Sequence, residues 1–340
     1  MKYDLVVVTA ANRAQAGGYR VQLRGRKGFL VVPDPGGRRV GSLGATVNVL
    51  RKLRGREGLR RVLICHSGGD AKRTPAYAAN GKAFVPMPDG RPLLDHIVAE
   101  MERLPSNAGV TVCCGDVVPY LDAARVRFAS RGVTGVAYPG GPWQARRHGV
   151  YAADAGARPA DTIRVESFLQ KPDVRRGRFL IDTGILHFDW RTAKKVAGLP
   201  IAGDVYEAFP RLLLEGFAPF RVSIAPACRF FHVGSSRELL KLLGRRVKGR
   251  RVLVDAVRAP VESLEGDNVV TNVPAEYGPV RLGKGECLTS LPLAGDGWYH
   301  LRYHVDDTFK EDGLWDRHGL GEKMRQVDHR RLMALKGDLG

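Results

Sequence analysis

The sequence has few cysteines and no long hydrophobic run. None of its five cysteines belongs to a Cys-x-x-Cys pair, which argues against both a disulfide framework and a zinc site. No run of about eighteen apolar residues occurs, so we expect no membrane-spanning segment and no membrane partner. The N-terminal stretch MKYDLVVVTAANR lacks the small-residue cleavage region of a signal peptide. We therefore expect a cytoplasmic protein.

Acidic residues are scarce relative to basic ones. The 340 residues include 54 Lys and Arg against 35 Asp and Glu, which gives a net charge of +19 and a pI near 10.1. Such a surface attracts phosphate groups on nucleic acid, on lipid or on a small substrate. A solvated basic face is the alternative, because no aromatic-glycine RNA-binding signature accompanies the basic runs. We expect no nucleic-acid partner.

Short apolar runs alternate with helical patterns up to about residue 190. The segments predicted as buried strands are DLVVVTA (4–10), GFLVVPD (28–34), RRVLICHSGG (60–69) and GVTVCCGDVV (109–118). Apolar strands alternating with helices predict an α/β fold with a Rossmann-like, mostly parallel sheet. Ligands of such sheets bind beyond the carboxyl ends of the strands.

The pattern changes further along the chain. Shorter segments over 149–190 predict antiparallel strands that add a lid or a substrate platform. Residues 202–217 and 235–246 are predicted to be helical, the second with Ser235 or Ser236 as its N-cap. Beyond about residue 250, short β-rich pieces predict a small appendage, which is either a β-solenoid or a β-sandwich. We therefore predict a larger α/β domain over 1–248 and a β-rich C-terminal region with a charged tail over 249–340.

Two glycine-rich stretches are candidates for phosphate binding. In VGSLGATVNVL (40–50), the predicted glycine-rich turn GGRRVGSLGA (36–45) leads into a predicted helix. Gly41 and Gly44 therefore stand immediately before the helix and Thr46 at its start, where main-chain N–H groups attract anions. This stretch is neither the P-loop pattern GxxxxGK[ST] nor a clean GxGxxG, and a plain tight turn is the alternative. HSGGDAKRTPAYAANGK (66–82) combines a glycine pair with spaced cations and is the more specific stretch.

HSGGDAKRTPAYAANGK resembles the signature of the sugar nucleotidyltransferases, in which Gly-Gly ends a strand and Arg, Pro and Lys follow. The resemblance implies that Gly68 and Gly69 lie along a nucleotide. It also implies that Arg73 and Lys82 neutralise the triphosphate and stabilise the leaving pyrophosphate. CGDVV (114–118) resembles the strand end at which the family binds its metal ion. The resemblance implies that Asp116 holds Mg²⁺.

Later motifs resemble the segments that bind the sugar phosphate in the same superfamily. FLQKP resembles the family's Glu-Lys-Pro, which implies that Lys171 contacts the sugar phosphate. DTGILHFD resembles its sugar-binding Asn-Ala-Gly strand and supplies Asp182 and Gly184. His148, in RHGVY, is a further candidate for contact with the sugar.

The expected second metal carboxylate is missing. FFHVGSSRELL resembles the family's late Asp-x-Gly-Thr segment but has His232 in place of Asp, and neutral histidine is a poor Mg²⁺ ligand. Three interpretations of His232 are open. It contacts the substrate, it plays no part in a metal site formed by Asp116 and the nucleotide phosphates, or it has only a packing role. Asp204 is another candidate carboxylate, with a helix N-cap as its alternative role.

Together with VVVTAANRAQAGGYRVQL and DNVVTNVP, these motifs resemble the GDP-fucose pyrophosphorylase part of the bifunctional fucokinase/GDP-fucose pyrophosphorylase family. The resemblance runs with gaps from residue 4 to about residue 310. It implies a GT-A-like nucleotidyltransferase that converts GTP and fucose 1-phosphate into GDP-fucose and pyrophosphate. Thr9 and Ala10 would contribute to base choice. No Pro-x-x-x-Gly-x-x-Ser-Ser kinase loop occurs, so we expect no kinase activity.

Three alternatives stay open at this point. In the first, the chain is an enzyme of the same type that uses another sugar 1-phosphate or another nucleoside triphosphate, such as UTP. In the second, it is a polyanion-binding module that uses its positive charge. In the third, it senses nucleotide sugars without turnover. The sequence does not decide the oligomeric state, so a homo-oligomer also stays open.

Overall fold

The first strand, LVVVTA at Leu5–Ala10, is buried along its whole length in the computed structural model. Valine-rich strands with both faces covered are typical of sheets with helices on either side. The structure describes residues 2–67, 69–152, 162–247, 249–295 and 297–337. Across these ranges, no helix has the length and apolar character needed to cross a bilayer.

The chain divides into two units, each built from discontinuous stretches. The first comprises Met1–Asn12, Arg26–Ser67 and Asp95–Phe231. The second comprises Arg13–Gly25, Gly68–Leu94 and His232–Gly340.

The secondary structure elements are numbered in chain order. The strands are β1 (Leu5–Ala10), β2 (Phe29–Pro33), β3 (Arg61–His66), β4 (Gly109–Cys114), β5 (Val117–Leu121), β6 (Val133–Gly140), β7 (Gly149–Ala152), β8 (Thr162–Arg164), β9 (Ser167–Gln170), β10 (Phe179–Phe188), β11 (Phe220–Ile224), β12 (Cys228–His232), β13 (Arg245–Val247), β14 (Arg250–Asp255), β15 (Val261–Leu264), β16 (Asn268–Thr271), β17 (Val280–Leu282), β18 (Glu286–Pro292) and β19 (Trp298–His304). The α-helices are α1 (Arg13–Gln22), α2 (Gly41–Lys52), α3 (Leu93–Glu102), α4 (Pro142–Ala145), α5 (Trp190–Val196), α6 (Ala208–Leu214), α7 (Ser236–Leu243), α8 (Leu314–Arg317), α9 (Leu320–Lys323) and α10 (His329–Leu335).

The first unit contains a ten-stranded sheet with the main strand order β2-β1-β3-β4-β10-β6-β11-β8. β2, β1, β3 and β4 pair in parallel, and β6 pairs in parallel with β11. Because β10 is antiparallel to both β4 and β6, these six strands all run in one direction, and β10 and β8 run in the other. β7 and β9 add an antiparallel extension to β10. The predicted α/β fold with a mostly parallel sheet is confirmed.

The core of the first unit packs on the centre of this sheet. Val7, Ile64 and Val112 lie in register on β1, β3 and β4 and are fully buried. Phe188 and Phe209 pack edge to face, with ring centroids 5.3 Å apart. Burial of each such side chain stabilises the fold by about 1.5–3 kcal/mol.

Helix α2 begins earlier than the sequence predicts. The stretch GGRRVGSLGA was expected to form a turn, but its second half is the first turn of α2. Gly44 allows this helix to lie against the main chain of Ala202, where a Cβ atom would come within 2.9 Å of the Ala202 nitrogen. The predicted helix over 202–217 is in turn shorter, because only Ala208–Leu214 is helical there.

The C-terminal part of the second unit is a short β-solenoid. β14, β16 and β18 pair in parallel within one sheet. The intervening strands β15 and β17 pair in parallel within another sheet. Successive strands that alternate between parallel sheets are typical of a solenoid, whereas a sandwich is antiparallel. Of the two alternatives for this region, the structure therefore shows the solenoid.

Asp189 caps helix α5 and generates a prediction about stability. Its carboxylate accepts hydrogen bonds from Arg191 N at 2.7 Å and Thr192 N at 3.1 Å. We expect Asp189→Ala to lower the free energy of unfolding by about 1–2 kcal/mol, because both donors lose their acceptor. Urea denaturation measures this loss. Asp122→Ala, which removes a single capping bond to Ala124 N, is the control, and an equal loss in both variants would contradict the assignment.

Candidate functional site

A half-buried histidine joins two of the predicted nucleotide-binding residues. His66, at the end of β3, has its Nε2 atom 2.9 Å from Thr46 Oγ1 and its Nδ1 atom 3.4 Å from Thr9 Oγ1. The Thr46 hydroxyl donates to Ser42 O at 3.0 Å. It therefore accepts from the imidazole, which places the ring proton on Nε2. Burial lowers the pKa of His66 to about 4, so the ring is neutral at physiological pH.

The same network accounts for the hydroxyl of Thr9. This hydroxyl accepts from Ser67 N at 3.3 Å and, in that tautomer, donates to His66. Ala10 O likewise accepts from Asp34 N at 2.8 Å. Since these groups already have partners within the protein, the structure brings Thr9 and Thr46 together through His66. Their contact with a nucleotide stays a prediction.

The N-terminus of α2 lies against a loop of its own unit. Leu43 N and Gly44 N both donate to Gly203 O, at 3.0 and 3.4 Å. Gly41 has φ +76°, and a Cβ atom there would lie 2.2 Å from the same oxygen. The sequence predicted that N–H groups at this helix start would face an anion, but these two already have an acceptor. Close packing explains the two glycines, since Gly41 lies against Gly203 and Gly44 lies against Ala202.

Asp204 has a structural role in the first unit. One carboxylate oxygen accepts from the Ser42 hydroxyl at 2.7 Å, and the other accepts from Tyr206 N at 2.7 Å. The Ser42 hydroxyl also accepts from Val205 N at 2.8 Å. One oxygen therefore fixes the loop to the start of α2 and the other fixes the loop itself. Asp204 is not a helix N-cap, since Glu207 holds that position before α6.

Asp116 lies in the turn between β4 and β5. Gly115, just before it, donates to His66 O at 2.9 Å, and a Cβ atom on Gly115 would lie 2.8 Å from that oxygen. The close approach brings the half-buried Asp116 to the end of β3. Burial and then the Asp116 carboxylate raise the pKa of the Cys114 thiol. This cysteine is therefore a neutral neighbour of the carboxylate.

Asp182 is a buried carboxyl on β10. It accepts from the Tyr151 hydroxyl at 2.9 Å and from Gly184 N at 3.1 Å. Gly184 has φ +74°, and its carbonyl accepts from the Tyr206 hydroxyl at 3.2 Å. The Tyr206 hydroxyl also lies 3.1 Å from Cys114 Sγ. The strand predicted to bind the sugar thus carries a carboxyl group that Tyr151 of the same unit holds directly. Tyr206 supports the same carboxyl group through Gly184.

His148 and Lys171 are brought together by the β7–β9 hairpin. Lys171 N donates to His148 O at 3.1 Å. The His148 ring stacks on Phe230, with centroids 4.9 Å apart. Lys171 is exposed and has φ +49°, an unusual conformation for a lysine.

The remaining predicted residues lie in the second unit, except that Gly68 falls outside the described residues. Gly69 is exposed, and its carbonyl accepts from Gln15 Nε2 at 2.9 Å. Arg73 is exposed to solvent. Lys82 is half-buried and begins the 3-10 turn Lys82–Phe84.

Gly81 fixes the position of Lys82. It has φ +80°, and a Cβ atom there would lie 2.4 Å from the ring of Tyr19 on α1. Tyr19 is fully buried and also packs on Phe84, with centroids 4.9 Å apart. Only glycine fits between the tyrosine ring and the turn.

His232 pairs with an acidic neighbour. Its Nδ1 atom lies 3.6 Å from Glu238 Oε2, and the same oxygen accepts from Gly234 N at 3.0 Å. Ser235 caps α7 by accepting from Glu238 N at 3.2 Å, as the sequence predicted. The second unit therefore places a carboxylate beside the histidine that replaces the expected aspartate.

Sequence reasoning missed the tyrosines Tyr19, Tyr77, Tyr151 and Tyr206. Three of them, Tyr19, Tyr77 and Tyr151, lie inside the quoted motifs, yet the resemblance assigned a role to none of the four. A buried tyrosine needs a partner for its hydroxyl, but the sequence does not reveal which residue supplies it.

Comparison with known proteins bears on the identity of the chain. Residues 59–200 match the family model described as the fucose pyrophosphorylase domain. A bifunctional fucokinase/GDP-fucose pyrophosphorylase of Arabidopsis thaliana is 32% identical over 243 residues, covering 54% of this chain and 23% of that protein. A fucose-1-phosphate guanylyltransferase of Mus musculus is 30% identical over 197 residues, covering 51% of this chain and 33% of that protein. The resemblance to fucose pyrophosphorylases is confirmed.

The extent of these matches is limited. The chain spans about a quarter to a third of the length of those relatives. A solved UDP-glucose pyrophosphorylase in complex with UDP-glucose covers 54% of this chain and 96% of its own, at 10% identity and a TM-score of 0.39. At that TM-score we base no argument on the likeness.

The buried carboxyl of Asp182 generates a prediction about pH. Burial raises its pKa from 3.8 to about 6. The folded state therefore binds a proton at the Asp182 carboxyl more tightly than the unfolded state does. As pH rises from about 4 to about 6, this difference in proton binding lowers the free energy of unfolding. Asp182→Asn removes the titration. The stability of the variant relative to the natural protein should rise across that range, by on the order of 2 kcal/mol, and stay level above it.

Urea denaturation at a series of pH values measures this difference. Asp189→Asn is the matched control. Hydrogen bonds outweigh burial there and lower the pKa of Asp189, so its relative stability should fall as pH rises through the carboxylate range. If the free energies of unfolding of Asp182→Asn and of the natural protein changed in parallel between pH 4 and 6, that result would contradict a raised pKa.

Proposed function

We propose that the chain is a sugar-1-phosphate guanylyltransferase that converts GTP and fucose 1-phosphate into GDP-fucose and pyrophosphate. The family match over residues 59–200, which includes the segment bearing Arg73 and Lys82, carries this proposal. The names of the two relatives support the same nucleotide and the same sugar.

The reaction requires positioning and charge neutralisation more than proton transfer. An oxygen of the sugar phosphate attacks the α-phosphorus of GTP, a new Pα–O bond forms, and the bond from Pα to the bridging oxygen of the β-phosphate breaks. Pyrophosphate leaves with that bonding electron pair. Because the phosphate nucleophile is already ionised, no general base is needed. Arg73 and Lys82 would stabilise the charge on the leaving pyrophosphate.

The described residues fit a magnesium ion held chiefly by the nucleotide. Among them, no three His, Cys, Asp or Glu side chains form a metal cluster. Mg²⁺ that is bound to substrate phosphates needs only one or two carboxylates. Asp116 would supply one, whereas both oxygens of Asp204 bind within the protein. The ion would neutralise charge on the α- and β-phosphates.

The sugar phosphate would be held by the first unit. Lys171 would orient the incoming phosphate, and Asp182 with Gly184 would contact the sugar. The Asp182 carboxyl is already bound by the Tyr151 hydroxyl, so its orientation is set before the sugar arrives. His148 is proposed as a further sugar contact in this unit, and contact of His232 with substrate stays a prediction.

Pyrophosphate release tests the proposal. The purified chain is assayed with Mg²⁺ against four nucleoside triphosphates and several sugar 1-phosphates. Turnover with GTP and fucose 1-phosphate supports the assignment, and turnover with another pair keeps the reaction while changing the substrate. Silence across the panel in folded protein would contradict catalysis and favour a sensor or a polyanion-binding module.

Lys82 should be essential for the chemical step. We expect Lys82→Ala to lower kcat by about 100-fold, because a cation that acts on the leaving group is lost. Lys284→Ala is the matched control, since this exposed lysine lies in the turn between β17 and β18 of the same unit. Steady-state kinetics measure both. Full activity in Lys82→Ala would exclude the proposed role.

A further inference from the structure

The segment that carries Arg73 and Lys82 is buried, yet it has little regular structure. Residues 69–84 contain only the 3-10 turns Pro75–Tyr77 and Lys82–Phe84. Residues 74–81 are nevertheless buried. Buried main-chain polar groups need partners, and a segment without a ladder or a long helix must find some of them elsewhere.

The β-solenoid supplies several of these partners within the second unit. The Tyr77 hydroxyl donates to Asp255 Oδ2 at 2.9 Å. Thr271 Oγ1 lies 3.1 Å from Ala76 O. Asn272 Nδ2 also approaches that carbonyl, at 3.5 Å. Tyr77 and Thr271 are fully buried, so water does not compete for these bonds.

These partners form a row at one end of the solenoid. Asp255 is the last residue of β14 and pairs in register with Thr271, the last residue of β16. Thr271 pairs in register with Thr289 of β18, and their hydroxyl oxygens lie 2.8 Å apart. Because a carbonyl only accepts, the Thr271 proton serves Ala76 O and Thr289 donates to Thr271. Three neighbouring solenoid strands thus contribute to one hydrogen-bonded row.

Other contacts hold the same segment. Lys336 Nζ lies 5.9 Å from the centre of the Tyr77 ring. Lys72, next to Arg73, lies 3.9 Å from a carboxylate oxygen of Asp316. From helix α1, Gln22 Nε2 donates to the carbonyl oxygen of residue 80 at 2.8 Å. The segment is therefore held by the solenoid, by the C-terminal helices and by α1.

We propose that the row formed by Asp255 of β14, Thr271 of β16 and Thr289 of β18 is a positioning surface for the segment 69–84. Tyr77 and Thr271 are then the positioning residues for Arg73 and Lys82. The proposal rests on the proposed function for its catalytic consequence. The β-rich region thereby gains a role, which is to hold two cations where charge develops on the leaving group. Small misplacements of such groups have large effects on rate.

The first test removes the two hydroxyls. Tyr77→Phe and Thr271→Val keep side-chain size. The first deletes the bond to Asp255, the second deletes the bonds to Ala76 O and Thr289, and the double variant deletes all three. Hydrogen exchange is measured by mass spectrometry on peptides covering residues 74–84. We expect exchange there to become about tenfold faster in the double variant, because local opening is easier when buried bonds are lost. Thr271→Ser, which keeps the hydroxyl, should retain slow exchange.

The second test measures kinetics in the same proteins. We expect kcat to fall about tenfold in the double variant, with the KM for the sugar 1-phosphate unchanged, because the sugar side is held by other residues. Tyr299→Phe is the matched control. It removes the same group from a tyrosine that bonds to His318, at 3.0 Å in the same unit. It should leave exchange over 74–84 and kcat unaltered.

The outcomes separate the two proposals. Unchanged exchange over 74–84 in the double variant overturns the positioning surface, as does faster exchange with full kcat in an active enzyme. If the natural protein releases no pyrophosphate, the proposed function fails. Hydrogen exchange then still decides the anchoring, because it needs no turnover. Should the double variant misfold, Thr271→Val compared with Thr271→Ser gives the same decision.

Discussion

A buried segment without regular structure places the strongest constraint on this protein. Residues 74–81 are shielded from water, and an unpaired buried carbonyl or N–H group costs about 1–3 kcal/mol. On the solenoid side, Thr271 satisfies the carbonyl of Ala76, and Asp255 accepts from the buried hydroxyl of Tyr77. The bond from Gln22 satisfies part of this requirement from helix α1. The second unit can thus be understood as support for the segment that carries Arg73 and Lys82.

The first unit meets a different constraint, which is to hold polar side chains at strand ends inside a packed sheet. Its solution is a chain of neutral hydrogen bonds from Thr9 through His66 to Thr46. Burial keeps the imidazole uncharged, so the network avoids the high cost of a buried charge. The buried carboxyl of Asp182 is the exception, and its raised pKa reflects that cost. Perturbed groups of this kind are frequent at functional sites.

Much of the fold could be predicted from the sequence because it depends on local patterns. Valine-rich runs such as that of β1 indicate buried strands, and their alternation with helices indicates a parallel sheet. The signature with Arg73 and Lys82 was recognisable because its residues are close together in the chain. The N-cap of α7 at Ser235 was predictable for the same reason.

The features that the sequence did not predict depend on distant residues. Gly41 and Gly44 at the start of helix α2 pack against Gly203 and Ala202, which lie far along the chain. The partner of Tyr77 is 178 positions away, and no local pattern connects Tyr77 to Asp255. Whether the C-terminal region was a solenoid or a sandwich depended on strand pairing, which its irregular repeat left open.

Isotope transfer is the most direct test of the central claim. GTP labelled at the α-phosphorus and GTP labelled at the β-phosphorus are incubated separately with the protein, Mg²⁺ and fucose 1-phosphate. The account predicts that the α label enters a nucleotide sugar and the β label enters pyrophosphate. Recovery of both labels in GDP, with no nucleotide sugar formed, would show simple hydrolysis and contradict the account.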